Sequence, residues 1–249
     1  MKPLPAPARL TPSAAAVFLD LDGTLAPIAA TPEAVGPDRR RSQLLRDLGE
    51  ALQGRLAVVS GRSVAEVDRI LEGSVGFVAG VHGLELRRAE EGLEVAEPHP
   101  RLGEAVAALE AFAAADTGLR VEDKRLSVTL HYRLAPAMEA EALALARDLA
   151  DRTGLTLQLG DKVAELRTPG RDKGGAMREL MARPPFHGAA PVFVGDDLTD
   201  EDGFRTAAEL GGAGVLVGRL RPTAALARLD DVDAVLAWLQ ASVAAEVRR

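Results

Sequence analysis

The chain has 249 residues, of which 47% are hydrophobic and 27% charged. That is the make-up of an ordinary globular protein, long enough for one large domain or for a core domain carrying a smaller insert. Its 37 acidic and 30 basic residues give a net charge of -7 with no basic stripe, which excludes a nucleic-acid-binding surface. With no cysteine, disulfides, thiolate zinc sites and cysteine nucleophiles are excluded, so any metal must be held by oxygen or histidine.

The first dozen residues are rich in Pro and Ala and are expected to be loose. The apolar run Ala14 to Leu19 stops at Asp20 without a processing site, so it reads as neither a signal peptide nor a membrane span, and a cytoplasmic location is expected. Val17 to Leu19, Leu56 to Val59, Phe77 to Ala79, Val192 to Val194 and Val215 to Val217 are short, nearly continuous apolar runs. Each ends in Asp, Ser or Gly, and helical patterns lie between them. This predicts an α/β fold: a doubly wound, Rossmann-like parallel sheet of five strands, covered on both faces.

Between the third and fourth strands the pattern changes. A hairpin around Glu91-Gly92, a helix over about 102–115, strands over 119–123 and 126–132, a helix over about 137–152, and strands over 155–159 and 163–166 predict a smaller α+β insert with antiparallel strands. The expected division is a discontinuous core of residues 1–85 and 169–249 with an insert of 86–168.

Asp20-Leu21-Asp22-Gly23-Thr24 directly follows the first strand. Two carboxylates at alternate positions can reach the crevice at the carboxyl edge of the sheet, one to attack and the other to handle protons. Gly23 allows a sharp turn whose N–H groups form an anion site. The plainer reading, a simple Asp-Gly turn, does not account for all five residues. Ser60-Gly61-Arg62 ends the second strand in the same manner, offering a hydroxyl and N–H groups to a phosphate oxygen, although Ser-Gly is also a common turn and cap. Gly195-Asp196-Asp197-Leu198-Thr199-Asp200-Glu201 follows the fourth strand. Magnesium takes oxygen ligands, usually one or two protein carboxylates, and Asp196 is the expected ligand; Asp200 is expected to cap the next helix. Lys173 opens a helical pattern before the fourth strand and could neutralise phosphoryl oxygens, where a lone lysine would otherwise be a solvated charge.

In order, Asp20-x-Asp22-Gly23-Thr24, Ser60, Lys173 and Gly195-Asp196-Asp197-x-x-Asp200 resemble the four motifs of the haloacid dehalogenase superfamily of phosphatases. The likeness extends to one branch. Leu25-Ala26-Pro27-Ile28 after the first motif, Val59-Ser60-Gly61-Arg62, Ala79-Gly80-Val81-His82-Gly83, Glu122-Asp123-Lys124, His131-Tyr132-Arg133 and Glu165-Leu166-Arg167 resemble trehalose-6-phosphate phosphatases. The resemblance implies Asp20 as the nucleophile, Asp22 as acid and base, and Ser60 and Lys173 as holders of the phosphoryl group. It implies Mg2+ on Asp20, the Asp22 carbonyl and Asp196, with Asp197 and Asp200 in support.

The same resemblance makes the insert a cap, in which Glu122, Lys124, Arg133 and Glu165 contact the sugar. On residues alone, these four suit a solvated, salt-bridged sheet face equally well. Thr24, Gly61, Arg62 and His82 are assigned to substrate, although His82 equally suits packing beneath the third strand. His99, His131 and His187 show no metal-ligand spacing. Thr168 separates Arg167 from Pro169 where the family commonly has Pro directly after Arg, which bears on the hinge rather than the chemistry. The expected partner is a small sugar phosphate, with no nucleic acid and no membrane, and the chain is expected to be a monomer. Phosphatases of sucrose-, mannosylglycerate- or glucosylglycerol-phosphate, a phosphomutase, and a silent sugar-phosphate binder are the competing readings.

Overall fold

Five consecutive buried residues, Ala15–Leu19, form strand β1. In the computed structural model, which describes residues 3–29, 31–89 and 91–246, alternation divides their side chains between two cores. Val17 and Leu19 enter one apolar cluster, Phe18 and Ala16 the other, as a period of two requires of a strand covered on both faces. β2 (Leu56–Val59) divides in the same way, Leu56 and Val58 against Ala57 and Val59. With β3 (Phe77–Gly80), β4 (Glu85–Arg88), β5 (Gly92–Val95), β10 (Ala190–Gly195), β11 (Ala213–Val217) and β12 (Ala227–Leu229) they make an eight-stranded sheet in the order β12-β11-β10-β1-β2-β3-β4-β5.

Strands β12 to β3 in that order pair in parallel. Helices α1 (Arg39–Ala51), α2 (Val64–Leu71) and α7 (Val232–Glu246) cover one face through Leu45, Leu48, Val67, Ile70, Val235 and Leu239. Helices α5 (Lys173–Met181) and α6 (Glu201–Glu209) cover the other through Met177, Leu180, Phe204 and Ala207. The chain therefore changes face between β1 and β10, and the crevice beyond their carboxyl ends is the switch point at which such sheets place ligands.

The chain divides into two units, Met1–Glu94 with Arg171–Arg249, and Val95–Gly170. The second is built on the antiparallel sheet β6-β7-β9-β8, formed by β6 (Arg120–Asp123), β7 (Ser127–His131), β8 (Thr156–Gly160) and β9 (Val163–Arg167). Its apolar face, Val128, Leu130, Ala164 and Leu166, packs on α3 (Leu102–Ala113) and α4 (Glu139–Thr153) through Leu102, Leu109, Ala146 and Leu149. Glu122, Thr129, Glu165 and Gln158 stand in register across the opposite face.

Three expectations are corrected. The hairpin near Glu91-Gly92 extends the large sheet instead of the insert: β4 pairs antiparallel with β3, and Leu86 is buried in the same core cluster as Phe186. The core sheet has three more strands than expected, namely this pair and the three-residue β12. Of the first dozen residues, Met1 and Lys2 lie outside the described ones, and residues 3–12 are fastened, not loose. Trp238 Nε1 donates to the Ala8 carbonyl at 2.9 Å, and the Leu10 N–H donates to Ser242 Oγ at 3.2 Å. Among the described residues no helix is long and apolar enough to cross a membrane.

Candidate active site

Asp20 leaves β1 where the sheet's hydrogen bonding ends, its N–H still donating to the Val194 carbonyl at 2.9 Å. Its carboxylate accepts from Lys173 Nζ at 2.8 Å, and the same ammonium donates to Asp200 at 2.7 Å. All three side chains are almost fully buried. Lys173 sits in the first turn of α5, which Asp172 caps by accepting from the Gly175 N–H, so the helix start aims the ammonium at the end of β1.

Asp20, Asp196 and Asp200 each offer a carboxylate oxygen within 4.8 Å of the others. Two glycines make room for this. A Cβ on Gly23 would lie 2.1 Å from Asp196 Oδ2, and one on Gly195 would lie 2.2 Å from the Asp200 carboxyl carbon; Gly23 also has φ +81°, which a side chain would resist.

Three carboxylates share one ammonium in this pocket. Burial, with Asp200 nearby, pushes Asp196 up to about 7. Burial also raises Asp20 well above the carboxylate range; Lys173 opposes this, and Asp200 and Asp196 add to it. Asp197 is raised chiefly by burial. For Lys173, burial favours the neutral amine, but Asp20 and Asp200 outweigh it and hold the proton on. An excess of buried negative charge on hard oxygen donors fits a divalent cation.

The remaining residues are placed as follows. Asp200 is the residue before α6 and makes no side-chain cap bond to that helix; its carboxylate turns inward to Lys173, and to the Asp197 N–H at 2.9 Å as the capping box of the 3-10 turn Leu198–Asp200 that leads into α6. The cap expected of Asp200 is thus made at the preceding 3-10 turn instead of at α6, while its other oxygen takes the buried ammonium. Asp22 presents both carboxylate oxygens to Arg62, at 2.7 Å from Nε and 2.7 Å from Nη2, and Arg62 also donates to the Pro32 carbonyl at 2.9 Å. Asp22 and Asp197 therefore stand outside the carboxylate group that Asp20, Asp196 and Asp200 form. Thr24 Oγ1 donates to Asp196 at 3.3 Å, which makes it a partner of that carboxylate.

Ser60 is buried, its Oγ accepting from the Arg62 N–H at 3.2 Å. The His82 ring fills the space beside Gly61, where a Cβ would lie 2.7 Å from Nε2. Val81 and His82 both have positive φ, 45° and 57°. Their N–H groups donate to the carbonyls of Arg62 and Ser60 at 2.8 and 2.9 Å, so this strained turn holds the Ser60–Arg62 loop from behind.

In the second unit Lys124 Nζ lies 3.7 Å from Glu122 and 3.8 Å from Glu165. Ser127 Oγ donates to Glu165 at 2.6 Å, and His131 Nε2 is 2.9 Å from Glu122 Oε2. Burial would raise Glu122, but the His131 bond and the Lys124 charge outweigh it and hold it below its usual value. Arg133 does not join this group. β7 ends at His131, and Arg133 turns away to the Asp161 carbonyl, at 2.9 Å. His131 and Ser127, which the sequence reading did not select, are discoverable only from the strand register.

Residues 18–233 match the family described as trehalose-phosphatase. The chain belongs to the trehalose-phosphatase family. It is 37% identical over 225 residues to the trehalose-6-phosphate phosphatase of Escherichia coli (strain K12), covering 90% of this chain and 84% of that protein. It is 37% identical over 209 residues to a probable trehalose-phosphate phosphatase of Sinorhizobium fredii (strain NBRC 101917 / NGR234), covering 82% and 77%. A solved trehalose-6-phosphate phosphatase related protein superposes with TM-score 0.79 at 27% identity over 93% of this chain and 98% of that one. Trehalose-phosphatases are phosphoric monoester hydrolases, and the fold, as fold alone, is shared with haloacid dehalogenase-like hydrolases. Among the described residues of this family member, the carboxylates of Asp20, Asp196 and Asp200, the first and last buried and Asp196 half-buried, are the group suited to a metal ion.

Proposed function

We propose that this chain hydrolyses trehalose-6-phosphate to trehalose and inorganic phosphate through a phospho-aspartate on Asp20. The observation that carries the reading is the buried grouping of Asp20 with Lys173, Asp196 and Asp200 at the switch point of the sheet, in a chain of the trehalose-phosphatase family. In this reading an Asp20 carboxylate oxygen attacks phosphorus as the bond to the sugar oxygen breaks, and Asp22 gives that oxygen its proton. Water then attacks the same phosphorus and passes a proton to Asp22. The bond to Asp20 breaks, phosphate leaves, and both carboxyl groups are restored.

Lys173, Ser60 and the loop N–H groups of Gly61 and Arg62 hold the transferring group, while Arg62 also orients Asp22. Asp20, the Asp22 carbonyl and Asp196 would hold magnesium, with Asp197 and Asp200 behind them. When bound, magnesium supplies positive charge against the charge that develops on the phosphoryl oxygens. Glu122, Lys124 and Glu165, with His131 and Ser127, supply donors and acceptors for sugar hydroxyls. The same reading has the enzyme acting as a cytoplasmic monomer on a small-molecule substrate.

The test is phosphate release from trehalose-6-phosphate, sucrose-6-phosphate, glucose-6-phosphate and mannosylglycerate phosphate, with magnesium or with chelator. Magnesium-dependent release confined to the first is expected, and Asp20→Asn should abolish it in a protein that still folds. Release chiefly from another sugar would overturn the substrate, and appreciable turnover by Asp20→Asn would overturn the nucleophile.

A further inference from the structure

Arg221 lies between β11 and β12, outside all four of the strand-end motifs. Its guanidinium nevertheless reaches the acidic loop. Nη2 donates to the Asp197 carbonyl at 2.6 Å and to the Asp196 carbonyl at 3.3 Å. Nη1 donates to Glu201 Oε1 and to the Pro222 carbonyl at 3.2 Å. The other Glu201 oxygen accepts from the Ala224 N–H at 2.8 Å. One nitrogen of the planar fork thus takes two consecutive carbonyls while the other is held by Glu201 at the head of α6, which also fastens the loop that carries the arginine. Both side chains are largely enclosed, 20% exposed for Arg221 and 12% for Glu201.

The Asp196 carbonyl belongs to the peptide plane that leaves the Asp196 α-carbon and the Asp197 carbonyl to the plane after it, so the two bonds hold the chain that follows directly on the Asp196 side chain. Among the described residues the one side-chain hydrogen bond to that carboxylate comes from Thr24, at a long 3.3 Å, so its aim depends on the backbone beneath it. A guanidinium fixes its two terminal nitrogens in one plane, so holding Nη1 on Glu201 sets the plane in which Nη2 meets the carbonyls, a constraint that the single nitrogen of an ammonium lacks.

We propose that Arg221, braced by Glu201, is a positioning residue for the divalent-cation site, presetting the Asp196 carboxylate by fixing the backbone of Asp196 and Asp197. This rests on the reading of Asp196 as a ligand. Removing a group that orients a metal ligand from behind typically costs about 10- to 100-fold in metal affinity.

The experiment is a calorimetric titration of the full chain with Mn2+, for the unaltered protein, Arg221→Ala, Arg221→Lys and Arg205→Ala. Arg205 pairs with Asp202 on the exposed side of the same helix and serves as the control. Arg221→Ala should raise the dissociation constant by about tenfold or more, with Arg221→Lys between it and the unaltered protein and Arg205→Ala unchanged. An unchanged constant in Arg221→Ala, with only a lower unfolding temperature in chelator, would overturn the proposal and leave the strap a structural one. If Arg221→Ala does not fold, Glu201→Gln loosens the same guanidinium, and the same two outcomes decide. Absence of Mn2+ binding by the unaltered protein would instead sink the metal reading, and this inference with it.

Discussion

Replacing Asp196 with Asn should stabilise the metal-free protein, and by more at high pH than at low. Burial and Asp200 push Asp196 from the ordinary 3.8 up to about 7. The folded state therefore binds a proton that the unfolded state has released. Stability falls as pH rises from the unfolded value, and the loss is complete once pH has passed the folded value. A displacement of that size corresponds to about 4 kcal/mol, which partial exposure of the group reduces to about 2–4 kcal/mol. Asn keeps the shape, can still accept from Thr24 Oγ1, and has no charge to bury.

Urea unfolding in chelator should show Asp196→Asn ahead of the unaltered protein, with a lead that grows by about 1–2 kcal/mol between about pH 5.5 and about pH 8. Added magnesium should stabilise the unaltered protein, more at the higher pH because the ligand must be deprotonated, and should do little for the variant. A lead that is the same at both pH values, or a variant less stable at about pH 8, would refute the reasoning.

Lys173→Ala should be among the most damaging changes outside the apolar core. It leaves the carboxylates of Asp20 and Asp200 buried without their cation, a loss of about 3–5 kcal/mol that urea midpoints would register. Gly195→Ala puts a methyl 2.2 Å from the Asp200 carboxyl carbon; the expected cost is about 1–3 kcal/mol, seen in thermal unfolding, with a fall in turnover as Lys173 loses its anchor. Glu122→Gln should raise KM for a disaccharide phosphate by about tenfold, the worth of one charged hydrogen bond, and leave p-nitrophenyl phosphate hydrolysis unchanged. Equal effects on both substrates would remove Glu122 from sugar recognition.

Much of the site was legible because its residues lie where strands end. A buried strand must be apolar and must stop at a polar turn, so Asp20, Ser60 and Asp196 stand out from the runs before them, and parallel neighbours bring those ends to one edge. Local pattern also indicated a hairpin at Glu91-Gly92. It could not say which sheet the hairpin would join, since that depends on where Leu86 finds apolar partners. For Asp200 helix position predicts a cap, and its carboxylate does accept the Asp197 N–H in a capping box, but no local pattern shows that its other oxygen meets a buried ammonium 2.7 Å away. Arg133 was grouped with Glu122 by assuming that alternation runs on, whereas β7 stops two residues earlier.

By itself, then, the sequence determined the α/β class, the order of the strand-end loops and the acids they carry, because each of these is written in contiguous residues. Only the tertiary structure decided which groups pair. Arg62 takes both oxygens of Asp22 across 40 residues, and Arg221 reaches carbonyls 24 and 25 residues away. Such partners leave no periodic trace, because a backbone carbonyl has no identity in the sequence and an arginine's long side chain does not declare its direction.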